Sequence, residues 1–178
     1  LIPRHAAAQE LGEGLALDRF EPAPVGQTGF ASIEPLVLGH LRPALGASLS
    51  YARRPLELVG QDSGVGLVVD HQLQLHLGAS LALFDRLELD VDVPATVSQG
   101  GESPSAGAQA VSSPNSASFN DLRLGARVSV FGAPRSAFAA GIGLRAWLPT
   151  GDSGAFTGAG ELRYEPYVSV GGRHTKVH

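Results

Sequence analysis

Three carboxylates, Glu88, Asp90 and Asp92, stand at i, i+2 and i+4 in the run Leu87-Glu88-Leu89-Asp90-Val91-Asp92-Val93. In an extended chain that spacing puts all three on one face, with neighbours about 6–7 Å apart. Carboxyl groups at such a distance suit the acid and base of an inverting glycosidase. They also suit the oxygen ligands of a hard cation such as calcium. The competing reading is a polar face whose acids pair with arginines. It is preferred, because the sequence names neither a third ligand nor a substrate groove.

The other chemistry-bearing residues point away from catalysis. His71 and His76 are five apart, so a strand sends them to opposite faces and they cannot chelate one metal together. His174 and His178 would share a face only in a helix, and the tail around them has no helical period. Gly141-Ile142-Gly143-Leu144-Arg145-Ala146 spells G-x-G-x-x-A, but a dinucleotide fingerprint needs a strand before it and a helix after it. Here it lies inside an alternating run, where glycine leaves room for bulky neighbours or for strand bending. There is no G-x-S-x-G, and no Ser/His/Asp arrangement can be argued. No catalytic residue, metal or cofactor is expected.

The elements that must position these residues are strands. Leu73, Leu75, Leu77, Ala79, Leu81 and Leu83 alternate with Gln72, Gln74, His76, Gly78 and Ser80. Leu87, Leu89, Val91 and Val93 alternate with the three carboxylates. Leu122, Leu124, Ala126, Val128 and Val130 alternate with Arg123, Gly125, Arg127 and Ser129. Ala140, Ile142, Leu144, Ala146 and Leu148 alternate with Gly141, Gly143, Arg145 and Trp147. Leu45 to Tyr51 and Arg163 to Val170 repeat the pattern. A helix would scatter these apolar residues round its circumference, whereas a strand gathers them on one face. Less regular strands are expected near 14–21 and 32–41, making about eight, and no helix is expected. The clean segments run roughly 10–14 residues, the length of a tilted membrane strand rather than a soluble one.

Connections alternate in length: His40 to Pro43, Phe84 to Arg86 and Gly132 to Ser136 are tight, whereas 53–66, 99–118 and 149–161 are long and rich in Gly, Ser and Pro. In an antiparallel meander all the tight turns then fall at one end and all the long loops at the other. That lopsidedness belongs to outer-membrane barrels, and the long loops are expected to be mobile, to face outward and to make any ligand contacts.

Composition narrows the field. The 178 residues include no Cys, which excludes a disulfide scaffold and a thiol nucleophile. Net charge is −4 and the basic residues are scattered, so nucleic acid is not an expected partner. No apolar run approaches the ~20 residues of a membrane helix. Ala6-Ala7-Ala8-Gln9 looks like the small-residue end of a secretory signal without its apolar core, or else an Ala-rich terminus. Residues 1–13 are accordingly set apart from a barrel over 14–172 and a tail over 173–178.

Alternation alone does not say which face points inward. Mid-strand charge, an aliphatic stripe nearly free of Phe, and a single Lys favour apolar side chains outside. On that reading Gln72, Gln74, His76, Glu88, Asp90, Asp92, Arg123, Arg127, Arg145, Arg163 and Glu165 line the interior. Leu73, Leu75, Leu77, Leu81, Leu87, Leu89, Val91, Val93, Leu122, Leu124, Val128, Ile142 and Leu144 face lipid. Buried charges must pair, and a rough register puts Asp90 beside Arg127 and Arg145 beside Glu165. Tyr51, Phe84, Phe119, Phe131, Phe138, Trp147 and Tyr164 sit near strand ends, where an aromatic girdle belongs, although Trp147 has the parity of the polar face.

Asp18-Arg19-Phe20-Glu21-Pro22, the stretch from His76 to Leu89, Asn120-Asp121-Leu122-Arg123-Leu124-Gly125-Ala126-Arg127, and Leu148-Pro149-Thr150-Gly151 with its Gly-rich sequel resemble the N-terminal barrel region of OmpA-family outer-membrane proteins of myxobacteria and relatives. The last segment is also similar to the outer-membrane transporter family named for a phenol-degradation pathway. The resemblance spans about 14–172 and rests on strand-and-turn patterns. It implies an up-and-down transmembrane β-barrel in the bacterial outer membrane, structural or passively porous and non-catalytic. Lipid is the implied partner, with a small solute passing through. The chain departs from the family by lacking a peptidoglycan-binding domain and by ending Arg173-His174-Thr175-Lys176-Val177-His178 without a terminal aromatic. Both departures point to a part of a larger barrel. The rival is a soluble β-sandwich or lipocalin-like binding module, with the stripes as its core. A third class is a glycan-active enzyme using Glu88 and Asp92.

Overall fold

The computed structural model describes residues 16–17, 20–60, 64–102, 105–106, 109–110, 113–114, 117–133 and 136–172. The segment 1–13, the tail 173–178 with His174 and His178, and parts of the long connections lie outside these. Among the described residues there is no helix. The strands are β1 (Arg42–Gly60), β2 (Gly64–Leu83), β3 (Leu87–Gly100), β4 (Ser105–Ala106), β5 (Gln109–Ala110), β6 (Ser118–Phe119), β7 (Leu122–Phe131), β8 (Ala139–Leu148) and β9 (Arg163–Gly171).

β1-β2-β3-β7-β8-β9 form one antiparallel meander, with β6 also pairing with β3, while β4 and β5 make a separate small hairpin. The sheet has seven strands, and its edges, β1 and β9, are not paired with each other, so it is not closed. A closed barrel of about eight strands was expected, with two of them near 14–21 and 32–41. The described residues of 14–21 carry no strand, and neither does 32–41. Both edges contain proline (Pro43, Pro55, Pro166), which an edge tolerates because its outer N–H groups have no ladder to join.

The first long connection also differs from expectation. Arg53-Arg54-Pro55 breaks the alternation, yet β1 continues to Gly60 and β2 begins at Gly64. Register shifts on both sides of Leu56, with Arg54 at a φ of 53°, absorb the irregularity as a bulge. The segment 53–66 is therefore mostly hairpin rather than loop. At the opposite end three residues, 84–86, connect the strands, and Phe84 and Asp85 have φ of 57° and 56°, left-handed at both central positions of the tight turn. Arg86 N donates to Leu83 O at 3.1 Å to close it.

Segment 149–161, expected to face outward, folds back onto the sheet. Ala155, Phe156 and Thr157 are buried, and Phe156 packs with Val68 and Val69 in a small apolar cluster flanked by Leu17 and Leu56. Asp121 organises this fold-back, its carboxylate accepting from Gly151 N at 3.1 Å and Ala159 N at 2.9 Å.

Candidate functional site

Burial follows parity, and it is inverted relative to a water-soluble sheet. Gln72, Gln74, His76, Glu88, Asp90, Asp92, Arg123, Arg127 and Arg145 are buried, with Arg127 only 1% exposed. On the other face Leu77, Leu89, Leu124, Val128, Ile142 and Leu144 are exposed. Leu73, Leu75, Leu81, Leu87, Val91, Val93 and Leu122 are half-buried by their neighbours in the sheet. Arg163 and Glu165, expected on the inner face, are exposed. They share its parity, but they lie on the edge strand β9, where less chain covers them.

What covers the polar face is the described chain over 16–17 and 20–41, here termed the strap. It begins beside the apolar cluster, where Leu17 N donates to Phe156 O at 3.1 Å. Phe20 meets His76 edge-on, with ring centroids 5.7 Å apart. Glu21 accepts from Arg145 at 3.2 Å. Ser80 donates its hydroxyl to Val25 O at 2.5 Å, and Gln27 donates to Glu88 at 3.1 Å. Val37 N donates to Ser129 Oγ at 2.6 Å. The strap ends at the tight turn, where Gly39 N donates to Asp85 Oδ1 at 2.8 Å and Phe84 N donates to His40 Nδ1 at 3.1 Å. Consecutive residues Phe20 and Glu21 thus reach β2 and β8, three strand positions apart, so the sheet curls around the strap. Glycines on the inner face make room for it. A Cβ at Gly78 would lie 2.6 Å from Val25 Cγ2, and one at Gly141 would lie 2.7 Å from Pro35 O.

The charges on this face form a stack of pairs. Glu88 and Arg127 are opposite in register and meet at 2.9 Å. Asp90 lies opposite Gly125, where a side chain would collide with its carboxylate, and its nearest guanidinium is that of Arg123 at 4.0 Å. Asp92 and His76 Nδ1 are 3.0 Å apart. The expected Asp90–Arg127 pair is therefore replaced by Glu88–Arg127, a slip of two residues. Arg145 does lie opposite Glu165, but its ion pair is with Glu21, and its guanidinium also sits over the Tyr167 ring, 5.1 Å from the centroid. Arg163 bridges to Asp121 at 3.6 Å and lies over Trp147. The buried Trp147 thus belongs to the inner face rather than to a girdle.

Burial raises the Glu21 carboxyl above its ordinary range, and the Arg123 and Arg145 guanidinium groups offset this only in part. The partners contributed by the strap and by Asp121 are the ones that alternation does not reveal, because they sit outside the periodic runs. The inner-face glycines are the signal that something passes close by.

Chemically, this arrangement sets each of its carboxylates against a basic side chain. Glu88, Asp90 and Asp92 each face a separate basic side chain, and among the described residues no group of three or more His, Asp or Glu could hold a metal. His71 lies at the surface near Asp70 while His76 is buried, on the opposite face as their spacing requires. Compared with known proteins, the chain matches no family model, no curated protein and no solved structure.

Proposed function

We propose that this chain forms the wall of a bacterial outer-membrane β-barrel, structural and non-catalytic, with its interior occupied by its own strap rather than by an open channel. The observation that carries this reading is the inverted sheet: paired charges are buried while large aliphatic side chains from β1 to β9 stand exposed. In water such a face is costly, since contiguous exposed apolar surface is rare on soluble monomers. Lipid makes it favourable, and a closed set of strands is the sheet form that lipid tolerates. Closure between β1 and β9 falls to strands outside this sheet, from the same or another chain. The resemblance to OmpA-family barrels points the same way. A soluble sandwich or lipocalin-like module would need the stripes inside and the charges in water, the reverse of the burial described. A glycan-active enzyme would need Glu88 and Asp92 unencumbered, whereas each has a basic partner.

The test is refolding from urea with and without detergent micelles, read by gel mobility before and after boiling. A compact, detergent-dependent, heat-sensitive band is expected. A folded monomer in plain buffer overturns the reading in favour of a soluble binding protein. Planar bilayers holding the refolded protein should show little conductance, because the strap fills the interior.

A further inference from the structure

The outer face carries aromatic side chains only near its two margins. Toward the tight turns, Phe84, Phe131 and Phe138 are exposed, and the last two rings lie 6.0 Å apart. Toward the long connections, Tyr51, Phe119 and Tyr164 are exposed. Between the two groups, among the described residues, the outward positions of the meander strands are aliphatic or proline. Ionisable side chains begin past each group. Arg53 and His71, opposite in register, lie beyond Tyr51, and Asp85 and Arg86 follow Phe84.

Neither group follows a row of paired residues. Both climb across the sheet. The row that holds Tyr164 runs through Ala146, Leu124, Val91 and Ala79 to Leu45, six residues short of Tyr51 on β1. Six residues over five strand steps is a climb of about 20 Å across about 24 Å, an inclination of about 40°. Phe119, opposite Ala95, falls within about 5 Å of that line. At the other margin the row through Ile142 meets Val128, Leu87 and Leu83. Phe84 follows Leu83, whereas Phe138 lies four residues below Ile142. From Phe138 to Phe84 the climb is about three residues over three steps, or about 35°. The two lines are therefore nearly parallel, and their inclination matches the tilt of about 35–45° of strands in a membrane barrel. A level plane cuts strands of that tilt along such a line. On β8 the lines are about nine residues apart, ~30 Å along the strand and ~23 Å along the barrel axis.

We infer that the outer face is matched to a thin bilayer, with a hydrocarbon region of about 23 Å. Phe84, Phe131 and Phe138 mark one headgroup plane, and Tyr51, Phe119 and Tyr164 mark the other. The inference rests on the membrane-wall reading and adds depth and thickness to it. An average hydrocarbon core is about 30 Å thick, and aromatic rings settle where it meets the headgroups. The same planes account for unequal strand lengths. β7 and β8 have 10 residues each, whereas β1 has 19 and β2 has 20. The surplus, from Ala52 onward on β1 and up to its partner Gln72 on β2, stands beyond the second plane as a hairpin. It carries the Arg54–Asp70 pair and the bulge at Leu56, neither of which suits lipid.

The chain has no cysteine, so a single substitution carries a single label. Leu45→Cys, Phe138→Cys, Ile142→Cys and Tyr164→Cys are each labelled with bimane and refolded into dimyristoylphosphatidylcholine vesicles. Quenching is compared between lipids spin-labelled at the headgroup and lipids spin-labelled deep in the acyl chain. Leu45 and Tyr164 share one row, yet the deep label should quench Leu45 more and the headgroup label Tyr164 more. Ile142 and Phe138 should differ in the same sense. Equal depths for Leu45 and Tyr164, or a Phe138 site as deep as Ile142, would overturn the inference and leave the membrane wall standing. Deep quenching at no site would overturn both. Thickness is read on the parent protein, which keeps the test open should a variant fail to fold. In vesicles of dilauroyl-, dimyristoyl- and dioleoylphosphatidylcholine, the compact band should survive to the highest temperature in the two thinner bilayers. Greatest heat resistance in the dioleoyl lipid would overturn the match to a thin bilayer.

Discussion

The inner faces of β2–β3–β7 and of β9 carry the same alternation but meet different fates. On the first, Glu88 and Arg127 are buried and in contact at 2.9 Å. On the second, Arg163 and Glu165 have the correct parity and remain exposed. Parity chooses a face, but burial needs something laid over that face. Over β2, β3 and β7 the strap and neighbouring strands enclose the charges, whereas on the edge strand β9 Arg163 and Glu165 stay open to solvent even though Glu21 of the strap lies nearby. The difference separates two kinds of ion pair. A buried pair is costly to break because its surviving partner is stranded, whereas an exposed pair is screened by solvent and contributes little.

Arg127→Ala tests that separation most severely. It leaves Glu88 buried with only Gln27 as a donor, and should destabilise by about 3–5 kcal/mol. Arg163→Ala should cost less, because the Arg163 guanidinium is exposed and the buried Asp121 it leaves keeps the donors Gly151 N and Ala159 N. Urea midpoints of the two refolded variants measure the gap, and near-equal midpoints would end the distinction. Leu124→Arg probes the outer face. In lipid it should cost about 2–4 kcal/mol near the bilayer midplane, whereas a water-facing site would be nearly neutral, so unfolding in vesicles is the informative measurement. Gly78→Val tests the strap, because the new side chain occupies the place of Val25. Overpacking of this kind costs about 1–3 kcal/mol, and limited proteolysis should show cleavage within 20–39 while the sheet survives.

The smallest expected effect is on pH dependence. Burial, with the nearby Glu165, holds the proton on Glu21 to higher pH when the strap is docked than when it is free, and Arg123, Arg145 and Arg163 oppose this only in part. Docking is therefore most favourable below the free carboxyl's range and loses that advantage as pH rises through the elevated value. Protease sensitivity of the strap should increase over that interval, and Glu21→Gln should flatten the profile.

Much of the sheet was legible because period two is a direct consequence of strand geometry. The faces of Leu87 to Val93, Leu122 to Val130 and Ala140 to Leu148 could be read residue by residue. The charge partners were legible in kind but not in register. Asp90 was matched to Arg127 because nothing in the Gly- and Ser-rich stretch 99–118 shows how much of it is strand. β3 extends to Gly100, with a register shift opposite Leu73 and Gln74, and β6 pairs separately with β3. The strap was misread, in part as a strand at 32–41. It holds its place through single hydrogen bonds between its main-chain groups and side chains such as Ser80, Asp85 and Ser129, and such contacts impose no period on its own sequence. Phe156 was hidden for a similar reason, since one apolar residue in a Gly-rich stretch looks like loop until its partners Val68 and Val69 are known.

The strap also has a history as well as a place. Its contacts join residues far apart in sequence, with Val37 to Ser129 spanning 92 positions and Glu21 to Arg145 spanning 124. Beneath it, β1–β2, β2–β3 and β7–β8 pair across short connections. Contacts that close long loops form late, because their chain entropy is lost before any contact compensates for it. Loop-closure entropy thus predicts that the meander assembles first, as an uncovered trough with its charges still hydrated, and that drawing in the strap dries that trough. Stalling at this last step would leave a wall that is built but not yet sealed.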